Sequence, residues 1–334
     1  MPLFDVRSPS EYRNGHAPGA LSLPMFSDEE RAMVGLCFKE KGQSEAIRLG
    51  LEIVGPKMAS YVKVVDQIAG GKEIELYCWR GGMRSQSMAW LMSTAGYDVT
   101  RWEGGYKSYR NSVHQKWFQP RPYVVLAGLT GCGKTEILRL MQRQGAAVFD
   151  LEGLANHKGS AFGHVGEEQQ PQVEDFENLG ADFLEELPRD QALWIEDESR
   201  SIGRIWLQNE FYLLKKAAPI VILERSRANR LDHLVHLYGQ ASPEALTEVF
   251  PKIAKRLGHQ NAQWAIDAIM AGDLRSAAEI ALNYYDRTYA ESMEKRKDQV
   301  LLTLDLSDCS FEEAATRLLQ QTKEPITAWL KQQH

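Results

Sequence analysis

Cysteine is scarce in this chain. Among 334 residues there are four, Cys37, Cys78, Cys132 and Cys309, widely spaced and never paired as C-x-x-C. That rules out a disulfide framework and a zinc knuckle as organising devices, and it suits a reducing, cytoplasmic setting. No stretch approaches the roughly 20 apolar residues that span a bilayer. The N-terminus has no basic region followed by an apolar run, so no secretory signal is expected. Internal repeats and low-complexity tracts are also missing. Positive charge is not in excess: 39 Lys and Arg face 45 Asp and Glu, a net charge of −6. Composition therefore does not mark a nucleic-acid binder, although local patches can serve that purpose. What remains is 43% hydrophobic and 25% charged residues, the profile of a globular protein long enough for two domains.

The first third reads as strands alternating with helices. Leu3 to Val6 and Leu21 to Leu23 are strand fragments, and Glu29 to Leu51 is helical with a break near Lys41-Gly42. Met58 to Ile68 is a helix, Glu73 to Cys78 a strand, Gln86 to Ala95 a helix and Val99 to Arg101 a strand. Pro120-Arg121-Pro122 then forces an extended connector. The expected domains are 1–118 and 119–334. Tyr123 to Ala127, Ala146 to Phe149, Ala192 to Ile195 and Ile220 to Leu223 are buried-strand candidates, with helical patterns between them such as Lys134 to Gln144. This alternation predicts an α/β architecture with a parallel sheet. From Pro243 onward the chain reads as mainly helical, apart from a strand at Val300 to Leu304.

Cys78-Trp79-Arg80-Gly81-Gly82-Met83-Arg84-Ser85 lies between a strand and a helix. Loop N–H groups and the helix N-terminus can converge on the sulfur there. Arg80 and Arg84 would lower the thiol pKa, and Gly81 and Gly82 let the backbone curl. Cys78 is thus the candidate nucleophile, with Trp79 to Arg84 as its anion cradle. A buried structural cysteine is the plain alternative, but Gly-Gly between two arginines argues against it. Two chemistries share such a cradle: sulfur carriage on cysteine, and attack on phosphorus by Cys-x5-Arg phosphatases. The spacing alone fits the second. His16 reads as a structural residue of the Pro-Gly turn, and Cys37 as a packing residue.

Gly128-Leu129-Thr130-Gly131-Cys132-Gly133-Lys134-Thr135 fits G-x-x-x-x-G-K-[ST] in full, after an apolar strand and at the start of a helix. Gly128, Thr130, Gly131, Cys132 and Gly133 supply the loop that wraps a phosphate. Lys134 reaches its terminal oxygens, and Thr135 is placed to ligate Mg²⁺ where one accompanies it. The motif calls for a polyphosphate or diphosphate, not ATP in particular, and leaves the metal open. Glu196, Asp197 and Glu198, with Arg200 just beyond, end a strand in the manner of a Walker B segment. Asp150 and Glu152 follow another strand, where open α/β sheets bind ligands. His157, Lys158 and Ser160 sit in a glycine-rich loop of the kind that often carries function. Three basic clusters could meet RNA phosphates: Arg225, Arg227 and Arg230; Lys252, Lys255 and Arg256; and Lys295, Arg296 and Lys297, the last near Tyr284, Tyr285 and Tyr289. For each, a solvated helix face is the plainer reading.

Asp5-Val6-Arg7, Glu11-Tyr12 and Gly15-His16-Ala17-Pro18-Gly19-Ala20 resemble the N-terminal signature of rhodanese domains, and Trp102-Glu103-Gly104-Gly105-Tyr106 resembles their closing turn. Rhodaneses usually carry a loop one residue shorter. The chain opens almost at Asp5, so the first strand is expected to be short, from a clipped start or a trimmed domain edge. The fusion as a whole resembles the bacterial tRNA 2-selenouridine synthase family. The resemblance rests on Glu30-Arg31-Ala32-x-Val34-Gly35, on Arg80-Gly81-Gly82-x-Arg84-Ser85, and on Trp102 to Lys107. It continues through the phosphate loop, Asp150 to Gly163, and Glu196 to Gly203. The Cys-x5-Arg loop suits this family. The resemblance implies a rhodanese-like domain followed by a P-loop NTPase-like α/β domain with a helical C-terminal part. It also implies replacement of sulfur by selenium in 2-thiouridine at the wobble position of tRNA. Selenophosphate would be the donor, which makes the enzyme that produces it a candidate partner. Geranyl diphosphate would supply a group that first alkylates the sulfur. The rival readings are a rhodanese-type sulfurtransferase with a nucleotide-binding regulatory domain, a phosphatase–kinase fusion, and a nucleotide-switched RNA-binding module whose cysteine only senses oxidation.

Overall fold

A computed structural model describes residues 1–332. Its contacts divide the chain into two compact units, Met1–Trp117 with Gln172–Asp182, and Phe118–Pro171 with the chain from Phe183 onward. Residues 1–118 form β1 (Leu3–Asp5), α1 (Pro9–Asn14), β2 (Leu21–Ser22), α2 (Asp28–Lys41), α3 (Gln43–Val54), α4 (Met58–Ile68), β3 (Glu73–Tyr77), α5 (Met83–Thr94), β4 (Asp98–Arg101) and α6 (Gly105–Phe118). There follow β5 (Tyr123–Ala127), α7 (Lys134–Arg143), β6 (Ala147–Phe149), α8 (Leu151–Ala155), α9 (Val173–Glu186), β7 (Leu193–Glu196), β8 (Ser201–Ile202), β9 (Ile205–Trp206), α10 (Asn209–Ala217) and β10 (Ile220–Glu224). The last elements are α11 (Arg227–Tyr238), α12 (Pro243–Thr247), α13 (Phe250–Leu257), α14 (His259–Met270), α15 (Leu274–Glu294), β11 (Val300–Asp305) and α16 (Phe311–Gln332).

In the first unit the sheet order is β2-β1-β3-β4, with every neighbouring pair parallel. Phe4, Ile74 and Leu76 pack against Val65 of α4 and Met88 and Met92 of α5. Ser27 and Glu30 close a capping box at the start of α2. That helix stops at Gly42, whose φ of +86° favours glycine, so the break expected near Lys41-Gly42 has a conformational cause. Asp5 and Arg7 form a buried ion pair at 2.6 Å, and the Arg7 guanidinium lies 3.8 Å from the centre of the Tyr106 ring. Residues 173–182 of α9 belong to this unit. Arg110 of α6 is paired with Glu177 and donates to Asn178 Oδ1 at 2.6 Å, while Trp117 Nε1 donates to the Glu177 carbonyl at 2.7 Å.

The second unit holds a parallel sheet in the order β11-β10-β5-β7-β6. Every residue of β5 is buried, which is why its sequence is an unbroken apolar run: helices cover both faces. Val124, Leu126, Val148 and Val221 pack against Ile137 and Met141 of α7 and against Ala314 and Leu318 of α16. A separate apolar cluster, centred on Phe162, Leu246, Phe250 and Ala265, holds the helical region together. Strands β5, β6 and β7 are adjacent and point the same way, so the segments following them share one edge of the sheet. Among the described residues no helix is long and apolar enough to cross a membrane.

Candidate functional site

Cys78 sits at the end of β3 and is 3% exposed. Its thiol donates to Ser85 Oγ at 3.2 Å, and the Ser85 hydroxyl donates to the Gly82 carbonyl at 3.0 Å. Burial alone would raise the thiol pKa. The Ser85 hydroxyl, the backbone N–H groups of Ser85 and Arg80, and the charge of Arg84 outweigh it and hold the thiol below its ordinary range. Arg84 reaches back to Glu11, with Nη1 donating to Oε2 at 2.6 Å. Its charge is therefore fixed in place by a carboxylate. Arg80 contributes through its backbone, its side chain being exposed.

The Gly-Gly turn expected to close the domain lies directly against this loop. Tyr106 N–H donates to the Cys78 carbonyl and Lys107 N–H to the Trp79 carbonyl, both at 2.9 Å. Gly105 has φ +59°, and a Cβ there would run into the Cys78 carbonyl and the Gly81 N–H. His16 stacks on Tyr12 at 3.9 Å between ring centres, and its backbone N–H donates to Asp175 at 2.9 Å, a structural placement. Ser85 and Glu11 were not singled out as site residues from the sequence. A hydroxyl early in the helix that follows Gly-Gly was the available signal for Ser85.

In the second unit the phosphate loop joins β5 to α7, with Gly131 at φ +83° and Gly133 at φ +79°. Side chains could not replace either hydrogen: a Cβ on Gly131 would meet the Arg230 carbonyl at 2.9 Å, and one on Gly133 would enter the Phe311 ring. Lys134 Nζ donates to the Gly128 carbonyl at 3.0 Å, and Thr135 donates to Glu152 Oε2 at 2.6 Å. Gly128, Thr130, Gly131, Gly133, Lys134, Thr135, Glu152, His157, Ser160, Asp197 and Glu198 all line one open cavity of about 1280 Å³.

The acids within reach of this loop differ in state. Burial, then the nearby Glu198 charge, push the Glu152 carboxyl up to about 8. Gly159, at φ +70°, passes so close over these two carboxylates that a Cβ there would strike both. Glu196 is wholly buried and accepts the Leu151 N–H at 3.1 Å; burial, with Asp150 and Glu152 nearby, holds it well above the usual carboxylate range. Asp197 is held low despite burial, because Arg296 grips it through bonds of 2.8 and 2.5 Å and Lys215 lies 3.9 Å away. Asp150 caps α8, accepting the Gly153 N–H at 2.6 Å, and also accepts from Arg139 at 2.9 Å. Burial, and then the nearby His164, lower the His157 pKa. Cys132 is buried with its thiol pKa raised by burial. Cys132, Asp150, Glu196 and the exposed Arg200 are not among the residues that line the cavity. Among the described residues no group of three or more His, Cys, Asp or Glu side chains could hold a metal ion by itself. Thr135, Glu152 and Glu198 are the oxygen donors that a hard cation would meet beside a bound phosphate.

Much of the basic surface weighed as a possible RNA contact, and read more plainly as solvated helix faces, is engaged within the second unit. Arg225 stacks on Phe311 at 4.5 Å, Arg227 donates to Asn283 at 2.7 Å, and Arg230 forms two 2.8 Å bonds to Asp286. Arg296 is committed to Asp197. Lys252, Lys255 and Arg256 of α13 remain exposed.

A parallel sheet with a cradled cysteine at the end of a strand, followed by a parallel sheet with a phosphate loop, defines a rhodanese-like domain fused to a P-loop domain. Residues 1–112 match the rhodanese-like domain, and residues 121–321 match the tRNA 2-selenouridine synthase AAA domain. The tRNA 2-selenouridine synthase of Bordetella petrii is 34% identical, over 91% of this chain and 90% of its own length. That of Sulfurovum sp. strain NBC37-1 is 34% identical, over 90% of this chain and 91% of its own. That of Shewanella loihica is 37% identical, over 91% and 90% respectively. The chain belongs to the tRNA 2-selenouridine synthase family.

Proposed function

We propose that the protein is a tRNA-modifying transferase that replaces sulfur by selenium in wobble 2-thiouridine. Selenophosphate is the donor, and an S-geranylated tRNA made from geranyl diphosphate is the intermediate. The observation that carries this reading is the pairing, in one chain of this family, of a buried cysteine in a loop with Ser85 and Arg84 beside it and a phosphate-loop cavity. In the first step the thiocarbonyl sulfur bonds to the geranyl carbon, the carbon–oxygen bond breaks, diphosphate departs and the base gives up its N3 proton. Loop N–H groups and Lys134 would hold that diphosphate and neutralise the charge it gains on leaving. Mg²⁺, when bound through Thr135, Glu152 and Glu198 together with phosphate oxygens, would add positive charge at the same place. Alkylation removes thiolate character from the base and makes its C2 open to attack. In the second step the selenium of selenophosphate bonds to C2 and geranyl thiol leaves; water then cleaves the selenium–phosphorus bond, releasing phosphate and leaving 2-selenouridine, while Cys78 and its cradle hold the selenium-bearing anion in place. Its cradle of N–H groups and the Arg84 charge suit a thiolate or selenolate. The enzyme that makes selenophosphate is the natural supplying partner, in a cytoplasmic setting.

Nucleoside mass spectrometry tests this on 2-thiouridine tRNA incubated with the protein, geranyl diphosphate and selenophosphate. Wild type should yield 2-selenouridine, Cys78→Ala should yield none, and Lys134→Ala should lose geranylation. A thiouridine unchanged under all conditions, with sulfur transfer from thiosulfate instead, would establish the sulfurtransferase reading in its place.

A further inference from the structure

A second cavity lies in the helical part of the second unit, with about 510 Å³ of empty space, part of it open to solvent. It adjoins the phosphate-loop cavity: Thr130, Ser160, Leu234, Tyr238 and Tyr285 line both. The two spaces differ sharply in character. Beyond the shared mouth, the inner wall is formed by Leu246, Phe250 and Ile269, side chains without a nitrogen or oxygen atom. One face of α15, carrying Ala277, Ala278 and Ala281, keeps the space open because its side chains are small.

We propose that this cavity binds the hydrocarbon chain of an organic diphosphate whose phosphates sit in the loop, and that the α15 alanines set the chain length accepted. The proposal rests on the reading of the loop as a diphosphate site. Its inner wall of Leu246, Phe250 and Ile269 offers the ring nitrogens and exocyclic groups of a nucleotide base no partner, so burying them against it would be costly. A branched aliphatic chain loses nothing of that kind and gains by leaving water. Thr130, within the loop, lines both spaces, so a ligand with its charged head at Lys134 and its chain toward Phe250 would pass along the wall that Thr130, Ser160, Leu234, Tyr238 and Tyr285 share.

Calorimetric titration of the full chain with inorganic diphosphate, dimethylallyl diphosphate and geranyl diphosphate tests this. Each buried methylene strengthens binding roughly fourfold. Geranyl diphosphate should therefore bind at least roughly tenfold tighter than dimethylallyl diphosphate and inorganic diphosphate. Ala281→Phe, and independently the milder Ala278→Leu, should abolish that preference. Both should bind inorganic diphosphate within about twofold of wild type, which also reports that they are folded. Equal affinities of wild type for all three ligands would overturn the proposal without recourse to any variant, as would an undiminished chain preference in either folded variant. Lys134→Ala separates the two readings. If it weakens all three ligands, the loop is the diphosphate site whatever becomes of the cavity. If it weakens none, the loop reading fails, and a chain preference that Ala281→Phe removes would still leave the cavity as the hydrocarbon site.

Discussion

Ser85 is the residue whose removal should be most informative about Cys78. Burial pushes the thiol pKa up, and the Ser85 hydroxyl is the largest of the influences that bring it down. Ser85→Ala should therefore shift the pH profile of Cys78 alkylation by iodoacetamide to higher pH, with Cys78→Ala identifying the signal. An unmoved profile would show that backbone N–H groups and Arg84 suffice. Glu152 gives a second prediction at this scale. Its carboxyl is raised to about 8 in the folded chain, above the ordinary 4.5. A group raised in this way lends its stability fully below the unfolded value and loses it as pH rises through the folded value. Between about pH 4.5 and 8 the unliganded protein should thus lose stability as Glu152 is forced to ionise. Thermal melts across that window should slope downward in wild type and less steeply in Glu152→Gln; parallel slopes would refute the assignment.

At the level of elements, α6 and the first part of α9 form one joint in the first unit. Arg110 is 8% and Glu177 7% exposed, and the two are ion-paired, with Asn178 accepting a further bond from Arg110. Removing one partner of such a pair leaves a buried charge uncompensated, at a cost of about 3–5 kcal/mol. Arg110→Ala should lower the urea midpoint for loss of the first unit correspondingly, whereas Arg110→Ala combined with Glu177→Leu should recover part of the loss. A single variant as stable as wild type would mean the joint contributes little. The same scale explains the glycines of the closing turn. Gly105 is forced by the carbonyl of Cys78, so the turn and the cysteine loop are built as one piece.

For the whole molecule, each unit carries its own chemical apparatus with its own supporting residues. Ser85, Arg84 and Glu11 serve Cys78, while Thr135, Glu152 and Lys134 surround the phosphate loop. The two activities should accordingly be separable. Cys78→Ala should bind inorganic diphosphate as wild type does, and Lys134→Ala should keep the alkylation profile of Cys78. If either substitution abolished both readouts in a folded protein, the two sites would have to be coupled.

What the sequence determined by itself was local. The phosphate loop, the cysteine loop, the strands that precede them and the helices that follow were legible because glycine spacing, an apolar run and a lysine or cysteine at a fixed offset specify backbone geometry over a few residues. The break at Gly42 was legible for the same reason. Partnership across long sequence distances was not. Asp150, Glu152, Glu196, Asp197 and Glu198 are alike as letters at strand ends, yet only packing turns Glu152, Asp197 and Glu198 toward the cavity, leaves Glu196 buried out of its wall and binds Asp197 to Arg296. Likewise Arg225, Arg227 and Arg230 read as a basic patch, and tertiary contacts with Phe311, Asn283 and Asp286 engage them instead. The return of residues 173–182 to α6 and the apolar space beside the phosphate loop arise where separate helices meet. Such features depend on side-chain volume and charge summed over distant segments, and no local pattern encodes them.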